Sequence, residues 1–234
     1  MPKKKNPIQR GVKAQGPGTT IFLKETLAEK LRDQIMRGNL TPGQRIIESR
    51  WARQFDVAQI SIREAINLLI ADGFVAKATG RSARVVHFSH DDIAQIYEMR
   101  AALEGLAARL AAERKAELSS LQASIAEMRQ AIARGDIRAL LGADLRFHME
   151  LCRVSGNHRL YVHARSLLIP FFAFIAVRAT QVQDGARAWK KDLTRHQRIV
   201  DVIHEGDPLA AEFSVRAILQ HFVCRAEAIW GQAP

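Results

Sequence analysis

The 234-residue sequence contains only two cysteines, few aromatic residues and no apolar run long enough to span a membrane. Cys152 and Cys224 each fall inside a helical pattern, which predicts buried reduced thiols and argues against a disulfide framework. The longest apolar run, residues 167–177, is shorter than a membrane span and contains Pro170. The N-terminal stretch lacks the apolar core of a signal peptide, so we expect a cytoplasmic protein.

The motifs of several enzyme classes are also missing. The sequence has no recognisable nucleophile motif, no phosphate-binding loop and no repeat of fixed period. Covalent catalysis and nucleotide-dependent chemistry are therefore disfavoured.

Acidic residues are scarce in the first third of the chain. Residues 1–90 contain 16 Lys and Arg against 7 Asp and Glu, a net charge of +9 out of +11 for the whole chain. A basic patch confined to one module is the electrostatic signature of phosphate binding. Residues 1–20 read as a disordered basic tail, for which solubility alone is the alternative role.

The pattern of residues 21–88 predicts a winged helix-turn-helix. Helical periodicity covers 27–36, 48–55 and 59–71, with a tight turn at 56–58 between the last two. Two strand-like runs follow between Phe74 and Val86, around a turn at 79–81. Two helices across a short turn, followed by a basic hairpin, are typical of a DNA-binding domain, although any small helical domain shows a similar apolar stripe.

The helix at 59–71 has an apolar face and an exposed face. Ile62, Ala65, Ile66, Leu69 and Ile70 form a stripe that we expect to pack against the first two helices. The candidate DNA-binding residues are Arg50, Gln59, Ile60, Ser61, Arg63 and Asn67, with Gly80 and Arg81 at the tip of the wing. For the wing arginine, the alternative is a side chain that only solvates the hairpin.

Residues 89–234 read as helices only, which predicts a mainly α fold with a C-terminal all-helical bundle of about six helices. The predicted helices are 91–114, 117–134, 137–154, 158–181 with a bend at Pro170, 185–205 and 208–230.

An Asp and two His stand on apolar helix faces in this bundle. Asp144 and His148 are four residues apart within one apolar stripe, and His196 lies on the apolar face of a later helix. A buried carboxylate has to be paired or ligated, so these residues predict a divalent-metal site. The alternative is a set of hydrogen-bonded core histidines.

Arg100 follows apolar residues on one face of the first bundle helix. An inward guanidinium is suited to bind a carboxylate with two hydrogen bonds, which makes Arg100 a candidate effector ligand. A simple helical pair with Glu104 explains the same pattern equally well.

Several segments together resemble the GntR family of regulators. The segments 27–35, 38–48, 61–66 and 72–75 are similar to its DNA-binding domain. The segments 97–104, 144–148, 155–157 and His196 with 206–207 resemble the FCD effector domain of its FadR-type branch. The resemblance implies a dimeric, ligand-responsive transcription factor that binds a short palindromic operator and responds to a small organic acid.

The sequence departs from the family pattern in two places. Where members commonly have Ser-Arg-Thr-Pro, this chain has residues 58–61, so that Gln59 replaces a guanine-reading arginine. Because glutamine pairs well with adenine, our hypothesis is an operator that differs at that base. Metal-binding FCD domains, which this domain resembles, have one Asp and three His, but Ile218 stands where the last histidine is expected. Three alternatives follow: His221, three residues on, is the fourth ligand, the site has only three protein ligands, or no metal is bound.

The sequence therefore favours a ligand-responsive regulator, more often a repressor in this family, with zinc as the first candidate metal and nickel or another divalent ion as the second. The alternative is a metal-dependent hydrolytic enzyme with an appended DNA-binding domain, whose metal would activate water. A sequence-blind structural DNA binder is a third interpretation, and it predicts strongly salt-dependent binding.

Overall fold

The computed structural model describes residues 17–77, 82–179 and 186–230, with side chains for 23–77, 82–178 and 193–220. The helices are α1 Pro17–Met36, α2 Glu48–Phe55, α3 Gln59–Ala71, α4 His90–Glu113, α5 Ser119–Arg134, α6 Ile137–Val154, α7 His158–Ala179, α8 Ala186–Glu205 and α9 Pro208–Trp230, and the strands are β1 Val75–Ala76 and β2 Arg84–Val85. The mainly helical fold is confirmed, with a small-winged helix-turn-helix followed by the bundle α4–α9.

The first three helices share one apolar core, to which Leu31, Trp51, Ile62, Ile66 and Leu69 contribute buried side chains. The bounds of α2 and α3 are those that the periodicity predicted. Helix α1 begins at Pro17, well before the predicted start at Leu27, so residues 17–20 belong to a helix and not to the predicted tail. Proline is accepted there because the first N–H groups of a helix have no intrahelical partner. Residues 1–16 lie outside the described part of the chain.

Left-handed backbone ends α2 and follows α3. Asp56 has φ 52° at the end of α2, and Gly73 has φ +76° just after α3, as their positions predicted. A Cβ on Gly73 would lie 2.6 Å from the backbone N of Pro170 in α7. Glycine is therefore required here by both the backbone conformation and the contact with the bundle.

The wing is a two-stranded antiparallel sheet in which Val75 pairs with Val85 and Ala76 with Arg84. Val75 and Val85 are buried against the helices, which attaches the hairpin to the core. Arg84 donates a hydrogen bond to the carbonyl oxygen of Gly43 at 2.9 Å and thereby ties β2 to the preceding loop.

The bundle has its own core, in which Leu121, Met128, Phe147, Leu151 and Phe171 are fully buried. Asp136 caps α6 by accepting a hydrogen bond from the Ala139 N–H, as predicted. Helix α4 begins one residue earlier than predicted, because Ser89 and Asp92 form a reciprocal capping box. The predicted helix bounds elsewhere in the bundle differ by a few residues at most.

Helix α7 connects the two modules. Val177 near its end is buried in the core of the N-terminal module, while Phe171 and Phe172 are buried in the bundle. Within the described residues, the segment His158–Arg178 is the one helical stretch that is long and apolar enough to cross a membrane, and half of its most apolar window is buried inside the structure. Its apolar composition is that of a central packing helix.

Candidate functional site

The outer face of α3 is open to solvent. Ile60 is 56% exposed, and Gln59, Arg63 and Asn67 are exposed as well. Ser61 is half-buried, and Arg50 is exposed on α2. Because Ile62, Ile66 and Leu69 on the opposite side of α3 are buried, this helix presents its outer face to solvent, as a helix that enters a major groove does.

Two of these exposed side chains are held by one carboxylate. Glu48, at the first position of α2, accepts hydrogen bonds from Arg63 at 2.9 Å and from the amide of Gln59 at 3.1 Å. The hydrogen bond from Arg63 lowers the pKa of Glu48, although partial burial works in the opposite direction. The two candidate base-reading residues are thus linked to each other through Glu48.

The wing contains the remaining predicted DNA-binding residues. Gly80 and Arg81 lie outside the described residues. Arg84 donates a hydrogen bond to the carbonyl oxygen of Gly43, so this arginine stabilises the hairpin in addition to adding positive charge to it.

Inside the bundle, Asp144, His148 and His196 come together from α6 and α8. The Nε2 atoms of His148 and His196 lie 3.2 and 2.9 Å from the same oxygen, Oδ1 of Asp144. One donor atom from each residue lies within 4.8 Å of the others. Both histidines are buried, and the Asp144 side chain is 17% exposed.

The donor set fits a divalent transition metal. Tetrahedral ligands at 2.0–2.1 Å from a zinc ion are about 3.3 Å apart, which is close to the distances from Asp144 to the two histidines. Burial alone would raise the pKa of Asp144, but His196 and His148 outweigh it and hold that pKa well below its usual range. Asp144 is therefore ionised, and a carboxylate with two imidazoles is a suitable set for zinc or nickel.

A second buried pair adjoins this cluster. Arg100 is buried on α4 and donates from Nε to Oε1 of Glu104 at 2.7 Å, so the helical pair that we considered is present. The guanidinium also faces the rings of Tyr97, Phe171 and Phe172 at 5.2–5.5 Å. Among the described residues, its two η nitrogens have no hydrogen-bond acceptor.

Glu104 also contacts one of the candidate metal ligands, since its Oε2 lies 2.5 Å from Nδ1 of His148. Burial would raise the pKa of Glu104, but the charges of Arg100 and His148 lower it to about 2. Burial would likewise lower the pKa of His148, but the charge of Glu104 outweighs this effect and the pKa is raised.

Comparison with known proteins follows the same division into two modules. The model of the bacterial regulatory proteins of the gntR family matches residues 23–85, and the FCD domain model matches residues 95–221, more than half of the chain. The chain belongs to the GntR family. It is a DNA-binding transcriptional regulator with an FCD domain, of the FadR-like branch.

The relatives of this GntR regulator carry the names of transcriptional regulators. It is 28% identical over 197 residues to the "Probable D-xylose utilization operon transcriptional repressor" of Paenarthrobacter nicotinovorans, covering 81% of this chain and 84% of that one. It is also 28% identical to the HTH-type transcriptional regulator LutR of Bacillus subtilis (strain 168), covering 79% and 92%. A GntR regulator from Rhodococcus sp. RHA1 has the same fold, with a TM-score of 0.70 at 24% identity over 90% of this chain and 99% of that one. The expectation that the chain is not an enzyme is confirmed by these relatives.

Two positions of α9 bear on the fourth metal ligand considered from the sequence of this GntR regulator. Ile218 is half-buried on α9 and offers no ligand atom. The side chain of His221 lies outside the described part of the chain, so its role stays a prediction.

Sequence reasoning missed two carboxylates of this GntR regulator. Glu104 was considered only as a partner of Arg100, and its contact with His148 joins residues 44 positions apart in the chain. Its place on the buried face of α4 was the available signal. Glu48 had no comparable signal, because its contacts with Gln59 and Arg63 depend on how α2 packs against α3.

Proposed function

We propose that this protein is a homodimeric repressor whose affinity for a palindromic operator is changed by a small carboxylate effector, with a divalent metal in the effector site. The observation that carries the proposal is the buried cluster of Asp144, His148, His196 and Arg100 in a bundle joined to a DNA-binding module. It combines three residues that can ligate a metal with the guanidinium of Arg100, whose two η nitrogens have no hydrogen-bond acceptor among the described residues.

The proposal that the protein is a repressor rests on sequence similarity. A relative that matches most of the chain is named a transcriptional repressor. The operator side of the proposal rests on the exposed face of α3, which carries Gln59, Ile60, Arg63 and Asn67. A palindromic site follows from a two-fold dimer that places two such helices in successive major grooves.

A dimer is supported by apolar side chains that are exposed on two helices packed against each other. Met99 and Leu106 of α4 and Leu209 and Phe213 of α9 are 36–74% exposed. Exposed apolar residues that cluster on one part of a surface mark contact sites. Since the two helices pack closely at Gly105 and Arg216, we propose that a second copy covers this part of the bundle, and analytical ultracentrifugation is the direct check.

In the proposed site, Asp144, His148 and His196 hold the metal, with zinc as the first candidate and nickel as the second. When bound, the metal would supply a Lewis-acidic contact for the effector. Arg100 would supply two parallel N–H groups to its carboxylate. The rings of Phe147, Phe171 and Phe172 pack against these groups and make the surroundings of the site largely apolar.

The test compares purified wild-type protein with His148→Ala. Elemental analysis is expected to find a divalent metal in the wild type and none in the variant, which loses one of three donors. Fluorescence anisotropy with selected operator DNA then measures the effect of a panel of mono- and dicarboxylates. We expect at least one carboxylate to change the operator affinity of the wild type and to have no effect on the variant.

Two results would contradict this proposal. Metal-free samples of both proteins, prepared without chelators, would remove the metal from it. An operator affinity that no carboxylate changes would remove the carboxylate effector. The enzyme alternative would return only if metal-loaded protein hydrolysed a substrate without binding DNA.

A further inference from the structure

The metal donors and the carboxylate-binding arginine share one residue, Glu104. Its two oxygens point to different partners, with Oε1 2.7 Å from Nε of Arg100 and Oε2 2.5 Å from Nδ1 of His148. The side chain is 1% exposed, so water does not compete for these contacts. A single buried carboxylate thus spans the two halves of the proposed effector site.

We propose that Glu104 is a positioning residue that prepares His148 for the metal and Arg100 for the effector, and so couples the binding of the two. This inference rests on the proposed metal and carboxylate roles. It assigns a function to a residue that has no place among the donors themselves, since the metal-type cluster consists of Asp144, His148 and His196.

The first step concerns His148. An ionised carboxylate accepts hydrogen bonds and cannot donate them, so the contact with Glu104 requires a proton on Nδ1 of His148. Nε2, which lies 3.2 Å from Oδ1 of Asp144, is then the atom that would give up its proton and turn its lone pair to a metal held between the two residues. Glu104 therefore selects the tautomer and the ring orientation in which His148 is a metal ligand, as carboxylates behind ligating histidines do.

The second step concerns Arg100. Its Nε–H is taken by Glu104, and the rings of Tyr97, Phe171 and Phe172 surround the guanidinium. These contacts restrict the planar group to one orientation, and within the described residues they leave both η nitrogens without an acceptor. The fork that remains matches a carboxylate with two parallel hydrogen bonds.

The third step is the balance of charge. Arg100 carries one positive charge, and Glu104 and Asp144 carry one negative charge each. Metal binding requires both histidines to be neutral, and the cluster then has a net charge of −1 before the metal is counted. A divalent cation reverses that sign, and a monocarboxylate restores neutrality. We therefore expect metal and carboxylate to strengthen each other's binding, by the same factor in both directions.

The experiment compares wild type, Glu104→Gln and the matched control Glu98→Gln, an exposed glutamate on the same helix. The zinc dissociation constant is measured by competition with a chromophoric chelator. We expect Glu104→Gln to weaken zinc binding by about 10- to 100-fold, because the amide is uncharged and accepts through only one of its two groups. Glu98→Gln is expected to bind zinc as the wild type does.

A further readout separates this positioning role of Glu104 from a purely structural one. Cobalt(II) absorption reports the ligand geometry, and we expect the visible bands to change in Glu104→Gln and to stay the same in Glu98→Gln. A Glu104→Gln protein that unfolds more easily but binds zinc with the wild-type constant and spectrum would overturn the inference. Wild-type protein that binds no metal would instead overturn the proposed function on which it rests.

The unmodified protein gives an answer if Glu104→Gln does not fold. In the ¹⁵N NMR spectrum of zinc-loaded wild type, we expect His148 to coordinate through Nε2 and to keep a proton on Nδ1. Coordination through Nδ1 would show that Glu104 does not orient this ring, and the inference would fail.

Discussion

At the scale of single residues, the candidate DNA contacts are linked before DNA is bound. Arg63 is 51% exposed and Glu48 is 18% exposed, so the pair between them contributes little to the stability of the fold. We propose that its consequence lies in recognition, in which Arg63 would exchange Glu48 for a base or a phosphate when the operator binds. Gln59 also donates to Glu48 and would make the same exchange, because pairing with adenine uses both groups of its amide.

We predict that Arg63→Ala weakens binding to the selected operator on the order of tenfold to a hundredfold if Arg63 reads a base. Titrations with operator and with scrambled DNA at fixed salt measure the effect. Arg37→Ala is the control, since Arg37 is an exposed arginine of the same module that pairs with Asp33. An equal loss for both DNAs would show that Arg63 contacts only phosphate.

At the scale of elements, the start of α4 illustrates what local sequence predicts. The periodicity of residues 91–114 identified the helix, but its first residue depends on the capping box of Ser89 and Asp92. The Ser89 hydroxyl accepts from the Asp92 N–H at 3.1 Å, and the Asp92 carboxylate accepts from the Ser89 N–H at 2.9 Å. The Ser89 hydroxyl and the Ser89 N–H both donate to the Asp92 carboxylate, and these two hydrogen bonds lower the pKa of Asp92. This cap ends the short linker between the two modules.

We expect Ser89→Ala to lower the free energy of unfolding by about 1 kcal/mol. The Asp92 N–H loses its acceptor, and the Asp92 carboxylate is no longer held in place to accept from the N–H of residue 89. Urea unfolding followed by circular dichroism measures it. Ser89→Asn should stay close to the wild type, since asparagine caps as well as serine does. A wild-type unfolding curve for Ser89→Ala would mean that solvent replaces the cap.

At the scale of the whole molecule, α7 provides a physical connection between the proposed effector site and the DNA-binding module. Phe172 lies beside His148 and Arg100, with its ring centroid 5.7 Å from that of His148. Two residues later, Phe174 meets Phe88 of the linker edge-on at 5.4 Å. Val177 is buried in the core of the N-terminal module. A rearrangement around the effector would therefore reach both the linker and that core through one helix.

The close contact between Gly73 and Pro170 gives a test of this connection. We predict that Gly73→Ala destabilises the protein by more than Gly135→Ala. Both glycines have positive φ, which costs an alanine about 1–2 kcal/mol, but only at Gly73 would the new Cβ meet a backbone, that of Pro170 at 2.6 Å. Nothing lies within 4 Å of a Cβ at Gly135 among the described residues.

Thermal unfolding of the two variants, together with operator affinity in the presence and absence of an effector, measures both effects. We expect Gly73→Ala alone to lose part of the effector's influence on DNA binding, because α7 has to move away from the end of α3. Equal behaviour of the two alanine variants would mean that the domain contact carries no coupling.

Local pattern was sufficient for much of this protein. Residue type and periodicity predicted the bounds of α2 and α3, the cap at Asp136 and the left-handed turn at Asp56. They also predicted that Arg100, His148 and His196 face inward. These features could be predicted because each depends on residues within one or two helical turns. The start of α1 was wrong because an N-terminal proline reads as a breaker in isolation and is equally suited to a helix's first turn.

The sequence by itself therefore determined the two modules, their helices and the residue types of both candidate sites, since these arise from short-range periodicity and charge. Only the tertiary structure decided which of those residues meet. Three contacts join residues that are too far apart in the sequence for helical periodicity to relate them: Glu104 with His148, Glu48 with Arg63 and Gly73 with Pro170. Such contacts depend on how whole helices pack, and packing is a property of the complete core.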